Sequence, residues 1–235
     1  MNTHRRSAIM VGALFIFAIV MLFIGEALYK PFLDTADYLD NAYPNRIVVI
    51  TGILLEFTGV PAVVLLSLLL FPVLKKHNEA LALGYVGFRL LEAGILSVAY
   101  VNKLSLVNLS QDYLRTGRVD VSYYQYLGSS IRSVIYWAGT QGMIYLIIFS
   151  LGSLILYSVL YSTKLVPRFI SAFGLIAAMA LLSGSVLANI DVFAEISMLG
   201  LELIFALPIA IVEVMLSIWL IVKGFNQSAI ASECV

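Results

Sequence analysis

Long runs of apolar residues, separated by short charged or turn-forming segments, dominate the pattern of this chain. Six runs are long enough to cross a bilayer, which needs about 20 apolar residues per helix. Lipid offers no partner for an unpaired backbone group, and the runs exceed the length of barrel strands, so each is predicted to be a helix. The pattern predicts an all-α, six-helix transmembrane bundle forming one domain over residues 1–235, with spans at 7–29, 47–73, 81–102, 131–161, 169–190 and 200–222.

The composition agrees with this pattern and excludes several classes of protein. The chain is 61% hydrophobic and 12% charged, whereas soluble domains are about 45–50% apolar and about 25% charged. Fourteen basic residues balance 14 acidic ones, so there is no basic excess to bind nucleic acid. The only cysteine is Cys234, which leaves no disulfide framework and no cysteine-based metal site. The expected location is a cell membrane, with the lipid bilayer as the main partner.

The positions of the basic residues predict that both termini are cytoplasmic. With that orientation, seven Lys and Arg residues fall in cytoplasmic segments and six in outer segments, so the totals show no bias. The cytoplasmic residues, however, lie in shorter segments and closer to the helix ends, where the positive-inside rule applies most strongly. Lys75 and Lys76 are the clearest markers. The six outer residues are Lys30, Arg46, Lys103, Arg115, Arg118 and Arg132.

An acidic repeat marks the first outer loop. Asp34, Asp37 and Asp40 recur every three residues, which predicts one face of a short surface helix. A calcium site would need about six to eight oxygen ligands in a defined loop, and the segment does not follow the EF-hand pattern. We therefore interpret the three aspartates as a solvated polar face, and no metal site is expected.

Ionisable residues inside the spans are the most informative feature. Glu56, Arg89, Glu92 and Glu213 fall deep in predicted helices, where such residues face the bundle interior or a wet cavity. Arg89 and Glu92 are spaced i, i+3 and can pair on one helix face. Three deep glutamates against one arginine leave two carboxylates to be protonated, hydrated or balanced by a bound cation.

Two prolines lie near these glutamates and indicate a polar cavity. Pro61 follows Glu56 by five residues, and Pro208 precedes Glu213 by five; each removes a backbone donor and favours a kink. We expect a cavity that is open to the outside and closed at Arg89. Its principal residues are Glu56, Arg89, Glu92, Gln141 and Glu213, and its secondary candidates are Glu26, Trp137, Ser185, Asn189 and Glu202.

The residues missing from the spans limit the possible chemistry. His4 and His77 both lie in segments predicted to be cytoplasmic, so no histidine is available there for haem, zinc or a Ser-His pair. The predicted spans also hold no aspartate and no lysine. No catalytic residue and no cofactor are therefore expected, and an intramembrane enzyme would have to use the glutamates and Arg89 alone.

Four short segments form a recognisable set: Leu207-Pro208-Ile209-Ala210 with Glu213, the run Trp219 to Asn226, Val166-Pro167-Arg168, and Phe88-Arg89 with Glu92. Together they resemble an uncharacterised bacterial membrane family, catalogued as domain of unknown function 4386. The resemblance covers nearly the whole chain and implies a prokaryotic inner-membrane protein. It implies no activity, so Arg89, Glu92 and Glu213 match family-pattern positions without assigned roles.

The leading functional hypothesis is a ligand or ion pathway, as in a small transporter, whose carboxylate-rich cavity binds or conducts protons or a small cationic solute. The first alternative is a structural or regulatory membrane subunit whose buried charges hold the bundle together. The second alternative is an intramembrane enzyme. A homo-oligomer is compatible with the sequence, but no residue argues for one.

Overall fold

A computed structural model describes residues 3–189 and 202–226 and consists of helices joined by short turns. No strand occurs within these two ranges. The helices are α1 Thr3–Leu33, α2 Tyr38–Asn41, α3 Arg46–Phe57, α4 Gly59–Lys75, α5 Glu79–Arg115, α6 Val121–Ala138, α7 Met143–Thr163, α8 Arg168–Asn189 and α9 Leu207–Val222, the last preceded by a π-helical turn at Glu202–Ala206.

Within the described residues, six helical stretches are long and apolar enough to span a membrane, which confirms the predicted number. This is a multi-pass membrane protein, because each stretch reaches the length of about 20 residues that a crossing requires. The predicted end of the fifth span and start of the sixth lie outside the described residues. The six stretches are Arg5–Leu33, Arg46–Lys75, Glu79–Arg115, Val121–Thr163, Arg168–Leu187 and Ile204–Val222.

The loop expected between the third and fourth spans is much shorter in the structure. The helix that carries the third predicted span extends beyond residue 102, because α5 ends at Arg115. Only residues 116–120 separate α5 from α6, which begins ten residues before the predicted span at 131. The chain turns there with Gly117, Arg118 and Asp120 in the left-handed backbone region. As a result, Lys103 lies within a helix rather than in a loop.

Interruptions occur in the two spans where prolines indicated kinks. The second span is divided at Thr58, whose amide bonds to the carbonyls of Leu54 and Leu55. This break lies one turn before Pro61, where a proline leaves a carbonyl without its usual donor. In the sixth span, the π-helical turn ends at Ala206 and Pro208 lies in the first turn of α9. Single π-helical turns of this kind are frequent at functional sites.

The chain divides into two compact units, each built from segments that are distant in sequence. The first unit comprises Met1–Phe17, Ala62–Glu92 and Leu146–Val235. Within it, α1 and α9 approach closely at Gly12, where an added Cβ would lie 2.6 Å from the Ser217 carbonyl oxygen. The Arg5 guanidinium donates to the carbonyls of Leu220, Ile221 and Val222 at 2.7–3.1 Å. These bonds satisfy the last turn of α9, whose carbonyls have no partner within the helix.

The second unit comprises Ala18–Pro61 and Ala93–Tyr145. Its α1 and α3 segments cross at two facing glycines, since a Cβ on Gly25 would lie 2.6 Å from the Gly52 carbonyl oxygen. The Ser110 hydroxyl donates to the Leu39 carbonyl at 2.6 Å and so ties α5 to α2. Small residues that allow such close backbone approach are typical of helix contacts in membranes.

The acidic repeat in the second unit does not form the predicted helix face. Asp34 and Asp37 precede α2, and only Asp40 lies within it. Asp40 accepts a hydrogen bond from Arg118 at 2.7 Å. Three-residue spacing alone is therefore misleading here, because α2 has only four residues.

Candidate functional site

Buried charges form a cluster in the first unit around Arg89, which is 1% exposed. Tyr85, Arg89 and Glu92 share one face of α5 because they are spaced i, i+4 and i, i+3. The Arg89 guanidinium donates from Nη1 to Glu92 Oε2 at 2.7 Å and from Nε to the Tyr85 hydroxyl at 3.3 Å. The predicted pairing of Arg89 with Glu92 is thus confirmed by direct contact.

Glu213 brings a second carboxylate to the same guanidinium from α9. Its Oε1 lies 3.8 Å from Arg89 Nη2, and its side chain is 13% exposed compared with 3% for Glu92. Both distances are within ion-pair range, but only the Glu92 contact is a hydrogen bond. Glu213 is therefore the more weakly held and the more accessible of the two carboxylates.

Aromatic rings surround the Arg89 guanidinium on its other sides. Its central carbon lies 5.1 Å from the centre of the Phe149 ring and 5.4 Å from that of Tyr85. Cation–π contacts of this length stabilise a desolvated guanidinium. We refer to Tyr85, Arg89, Glu92, Phe149 and Glu213 as the Arg89 cluster.

Three hydroxyl groups are buried on α7, the helix that also carries Phe149. Ser150, Ser153 and Tyr157 occupy one face of α7 and are at most 1% exposed. Tyr157 is close enough to Arg89 and Glu213 to interact with both electrostatically. Within the described part of the chain, the three hydroxyls and Arg89 Nη2 have no hydrogen-bond partner. Such buried polar groups without partners are uncommon and often indicate a functional role.

A different pair of charges is buried in the second unit. The Lys103 ammonium, on α5, donates to Glu56 Oε2 at 2.9 Å and to the Tyr29 hydroxyl. Lys103 is 6% exposed and Glu56 is 2% exposed. The Lys103 nitrogen also lies 4.2 Å from the Tyr29 ring centre and 4.9 Å from that of Tyr100. We refer to Tyr29, Glu56, Tyr100 and Lys103 as the Lys103 cluster.

The Lys103 cluster corrects the charge count made from the sequence. The statements that no lysine lies within a span, and that three deep glutamates face a single basic residue, are wrong. Because Lys103 neutralises Glu56, only one carboxylate of the three lacks a basic partner of its own. That surplus lies in the Arg89 cluster, where Glu92 and Glu213 face one guanidinium.

A cavity of about 310 Å³ lies in the second unit. Two expected residues, Glu26 and Gln141, line it, whereas Glu56, Arg89, Glu92 and Glu213 do not. Glu26 accepts from Lys30 at 2.7 Å and from the Thr140 hydroxyl at 3.4 Å. The charged lining residues are Glu26, Lys30, Asp34, Lys103 and Arg132.

The cavity therefore has a mixed lining rather than the carboxylate-rich lining that was expected, with three basic residues and two acidic ones. The guanidinium of one lining residue, Arg132, lies 4.8 Å from the ring centre of Tyr38, which is in the short helix α2 outside the spans. Burial raises the pKa of the Tyr38 hydroxyl, and the positive charge of Arg132 partly opposes that rise.

Two further candidates, Trp137 and Ser185, have other contacts in the structure. Trp137 is 39% exposed and packs edge-on against Tyr136, with ring centres 5.2 Å apart. The Ser185 hydroxyl donates to the Leu182 carbonyl within α8 at 2.9 Å. The side chains of Asn189 and Glu202 lie outside the described residues. In the part of the chain described, no group of His, Cys, Asp and Glu could hold a metal ion.

Residues that the sequence analysis missed complete both clusters. Sequence alone does not distinguish Tyr85, Phe149 and Tyr157 from ordinary apolar residues, although Tyr85 precedes Arg89 by one helical turn. Lys103 falls in a predicted loop. The segment after Lys103 keeps a helical pattern, because the buried residues Leu106, Ser110 and Tyr113 follow one another at intervals of four and three residues.

Comparisons with known proteins identify the family of the chain. No curated protein and no solved structure matches the chain. A family model described as domain of unknown function DUF4386 matches residues 10–224. That range includes both clusters and nearly all of the segments that resembled the family, and the chain therefore belongs to the DUF4386 family.

Proposed function

We propose that this membrane protein binds or conducts protons, or a small cationic solute, at the Glu213 carboxylate of the Arg89 cluster. The observation that carries the proposal is the local charge count. Glu92 and Glu213 lie 2.7 and 3.8 Å from one guanidinium, whose side chain is 1% exposed. With both carboxylates ionised, the cluster has one surplus negative charge in a poorly solvated place. A proton or another cation would neutralise that charge.

Glu213, rather than Glu92, is the expected exchanging group. Its side chain is 13% exposed and lacks a direct hydrogen bond to Arg89, so it is the less tightly enclosed of the two carboxylates. Tyr157, Ser153 and Ser150 offer buried hydroxyls without partners along α7. Hydroxyl groups both donate and accept hydrogen bonds, which supports a role for α7 in passing a proton to or from Glu213.

The proposal also includes the inner membrane, with both termini on the cytoplasmic side. Lys103 was counted among six outer basic residues, but it is buried in an ion pair. When Lys103 is left out of the count, five outer basic residues remain against seven cytoplasmic ones. The corrected count supports the predicted orientation through the positive-inside rule.

A structural or regulatory subunit is the alternative that one observation favours. Lys103 and Glu56 neutralise each other and connect α5 to α3, which is what a purely structural ion pair would do. If the Arg89 cluster acts in the same way, the protein should hold its buried charges without any exchange with solvent.

Proteoliposomes with an internal pH dye would separate the two functions. An imposed pH gradient should dissipate faster in vesicles with the wild-type chain than in empty ones, and Glu213→Gln should abolish the difference. Glu79→Gln is the matched control, because Glu79 is an exposed glutamate of the same unit, paired with Lys75 at 2.8 Å. Equal flux in wild type and a folded Glu213→Gln variant would contradict the proposal, as would the absence of any wild-type proton or cation flux.

A further inference from the structure

A strongly basic pocket of about 430 Å³ lies in the first unit, where α7 and α9 end and α8 begins. Three cationic residues, Lys164, Arg168 and Lys223, line it, and none of its lining residues is acidic. The nearly neutral chain thus gathers three like charges around one concave site. Like charges repel at short distance, so this arrangement is most stable when an anion is bound between them.

Backbone hydrogen bonds hold the walls of the pocket together. The Asn226 amide donates to the Leu165 carbonyl at 2.9 Å, and its side chain donates to the Lys164 carbonyl at 3.4 Å. Lys164 and Gly224 have φ values of 54° and 78°, and these left-handed residues terminate α7 and α9. The segments carrying Lys164 and Lys223 are therefore fixed to one another rather than independently placed.

Among the described residues, the three cations have no carboxylate partner. Cations often stabilise helix C-termini, but the last carbonyls of α9 already accept from Arg5. Arg168 lies 5.5 Å from the Tyr161 ring centre, and among the described residues neither Arg168 nor the two lysines forms an ion pair with a carboxylate. Their charges remain available to a ligand.

The position of the pocket indicates which anion it binds. It lies at the ends of membrane-spanning helices and includes Trp219, and tryptophan is enriched at the depth of lipid headgroups. Basic pockets at such helix ends bind anionic headgroups. We propose that this pocket binds the phosphate group of an anionic phospholipid. The proposal is independent of proton or cation binding at Glu213.

Thermal unfolding of the purified full chain in neutral detergent would test the site. Added phosphatidylglycerol should raise the melting temperature, whereas phosphatidylcholine should not. The combined Lys164→Gln, Arg168→Gln and Lys223→Gln variant should need at least tenfold more phosphatidylglycerol for the same shift, because each cation near an anionic lipid contributes about fivefold. The matched control removes three basic residues of the same unit elsewhere, by Arg6→Gln, Lys75→Gln and Lys76→Gln.

Three results would overturn the proposal. If both triple variants need the same extra phosphatidylglycerol for a given rise in melting temperature, the lipid is attracted by overall charge rather than bound at this pocket. Equal protection by phosphatidylcholine would show that the headgroup charge is not recognised. Protection by inorganic phosphate at the same concentration would assign the pocket to a free anion. If the pocket variant does not fold, Arg168→Gln alone retains the test, with Arg6→Gln as its control, because both side chains are exposed.

Discussion

The two buried charge clusters differ in their balance, although both place a basic residue of α5 among aromatic rings and carboxylates. The Lys103 cluster holds one ammonium and one carboxylate in a hydrogen bond of 2.9 Å. The Arg89 cluster holds one guanidinium and two carboxylates, of which only Glu92 is hydrogen-bonded to it. A buried charge is therefore a weak indication of function by itself. The charge without a partner of its own is the informative one.

The accessibility of the carboxylates follows the same division. The Glu56 and Glu92 side chains are 1% and 3% exposed, whereas the Glu213 side chain is 13% exposed. A fully enclosed pair resists separation because each ion would lose its counter-charge in a poorly solvating interior. A partly exposed carboxylate that shares its arginine with another carboxylate can gain or lose a proton or a bound cation more easily. The comparison thus predicts a structural role for the Lys103 cluster and an exchanging role for the Arg89 cluster.

The largest expected effect comes from Arg89→Ala, which leaves two carboxylates without a counter-charge. Breaking a buried ion pair from one side costs about 3–5 kcal/mol, and the variant should therefore give poor yield and a much lower melting temperature. Adding Glu92→Ala should recover part of the loss. The measurement is the melting temperature and detergent-solubilised yield of both single variants and the double variant. Purely additive losses would show that Arg89 and Glu92 do not act as partners.

Lys103→Met should have the next largest effect and offers the direct comparison. The substitution leaves one carboxylate without a counter-charge rather than two. The free energy of unfolding should therefore fall by an amount near the lower end of about 3–5 kcal/mol. Adding Glu56→Gln should recover most of that loss, because the pair is balanced one to one. Denaturation of the two single variants and the double variant checks this. If the double variant recovers no more stability than the Arg89 and Glu92 double variant does, the two clusters do not differ in charge balance as described.

A smaller effect is expected from Gly25→Ala, which tests the packing beneath the Lys103 cluster. The added Cβ would lie 2.7 Å from Glu56 Cβ and 2.6 Å from the Gly52 carbonyl oxygen. Such overpacking typically costs about 1–3 kcal/mol. Gly94→Ala is the control, because a Cβ there meets nothing within 4 Å. Equal melting temperatures for the two variants would show that α1 and α3 do not cross as closely as described.

The smallest effect is expected from Glu79→Gln, which removes an exposed ion pair. Lys75 and Glu79 are 2.8 Å apart, but their side chains are 49% and 59% exposed. Exposed pairs at i, i+4 contribute only about 0.3–0.5 kcal/mol. The melting temperature should thus stay close to that of the wild type. A loss comparable to that of Lys103→Met would mean that burial does not explain the strength of the two clusters.

The sequence was sufficient to predict the six spans and the Arg89–Glu92 pair, because both depend on local patterns. Hydropathy averages over a whole span and tolerates errors at its ends. The i, i+3 spacing of Arg89 and Glu92 places them together on any regular helix. The distance of 3.8 Å between Glu213 and Arg89 does not follow from local spacing, because it depends on the packing of α9.

The Lys103 cluster could not be predicted because hydropathy underestimated the length of α5. Polar residues from Asn102 to Arg115 lower the local hydropathy, so the predicted span ends at residue 102. The helix continues because its buried positions keep a helical spacing up to Tyr113. Attention to that periodicity would have placed Lys103 inside the helix, although its pairing with Glu56 is a contact between elements distant in sequence.

Infrared difference spectra recorded between low and high pH test the central claim most directly. If Glu213 is the exchanging carboxyl, the wild-type chain in lipid should show a carboxylic acid band that changes with pH. That band should be lost in Glu213→Gln and unchanged in Glu56→Gln, since Glu56 remains paired with Lys103 in the wild type. Persistence of the band in Glu213→Gln, or its loss in Glu56→Gln, would contradict the assignment of exchange to the Arg89 cluster.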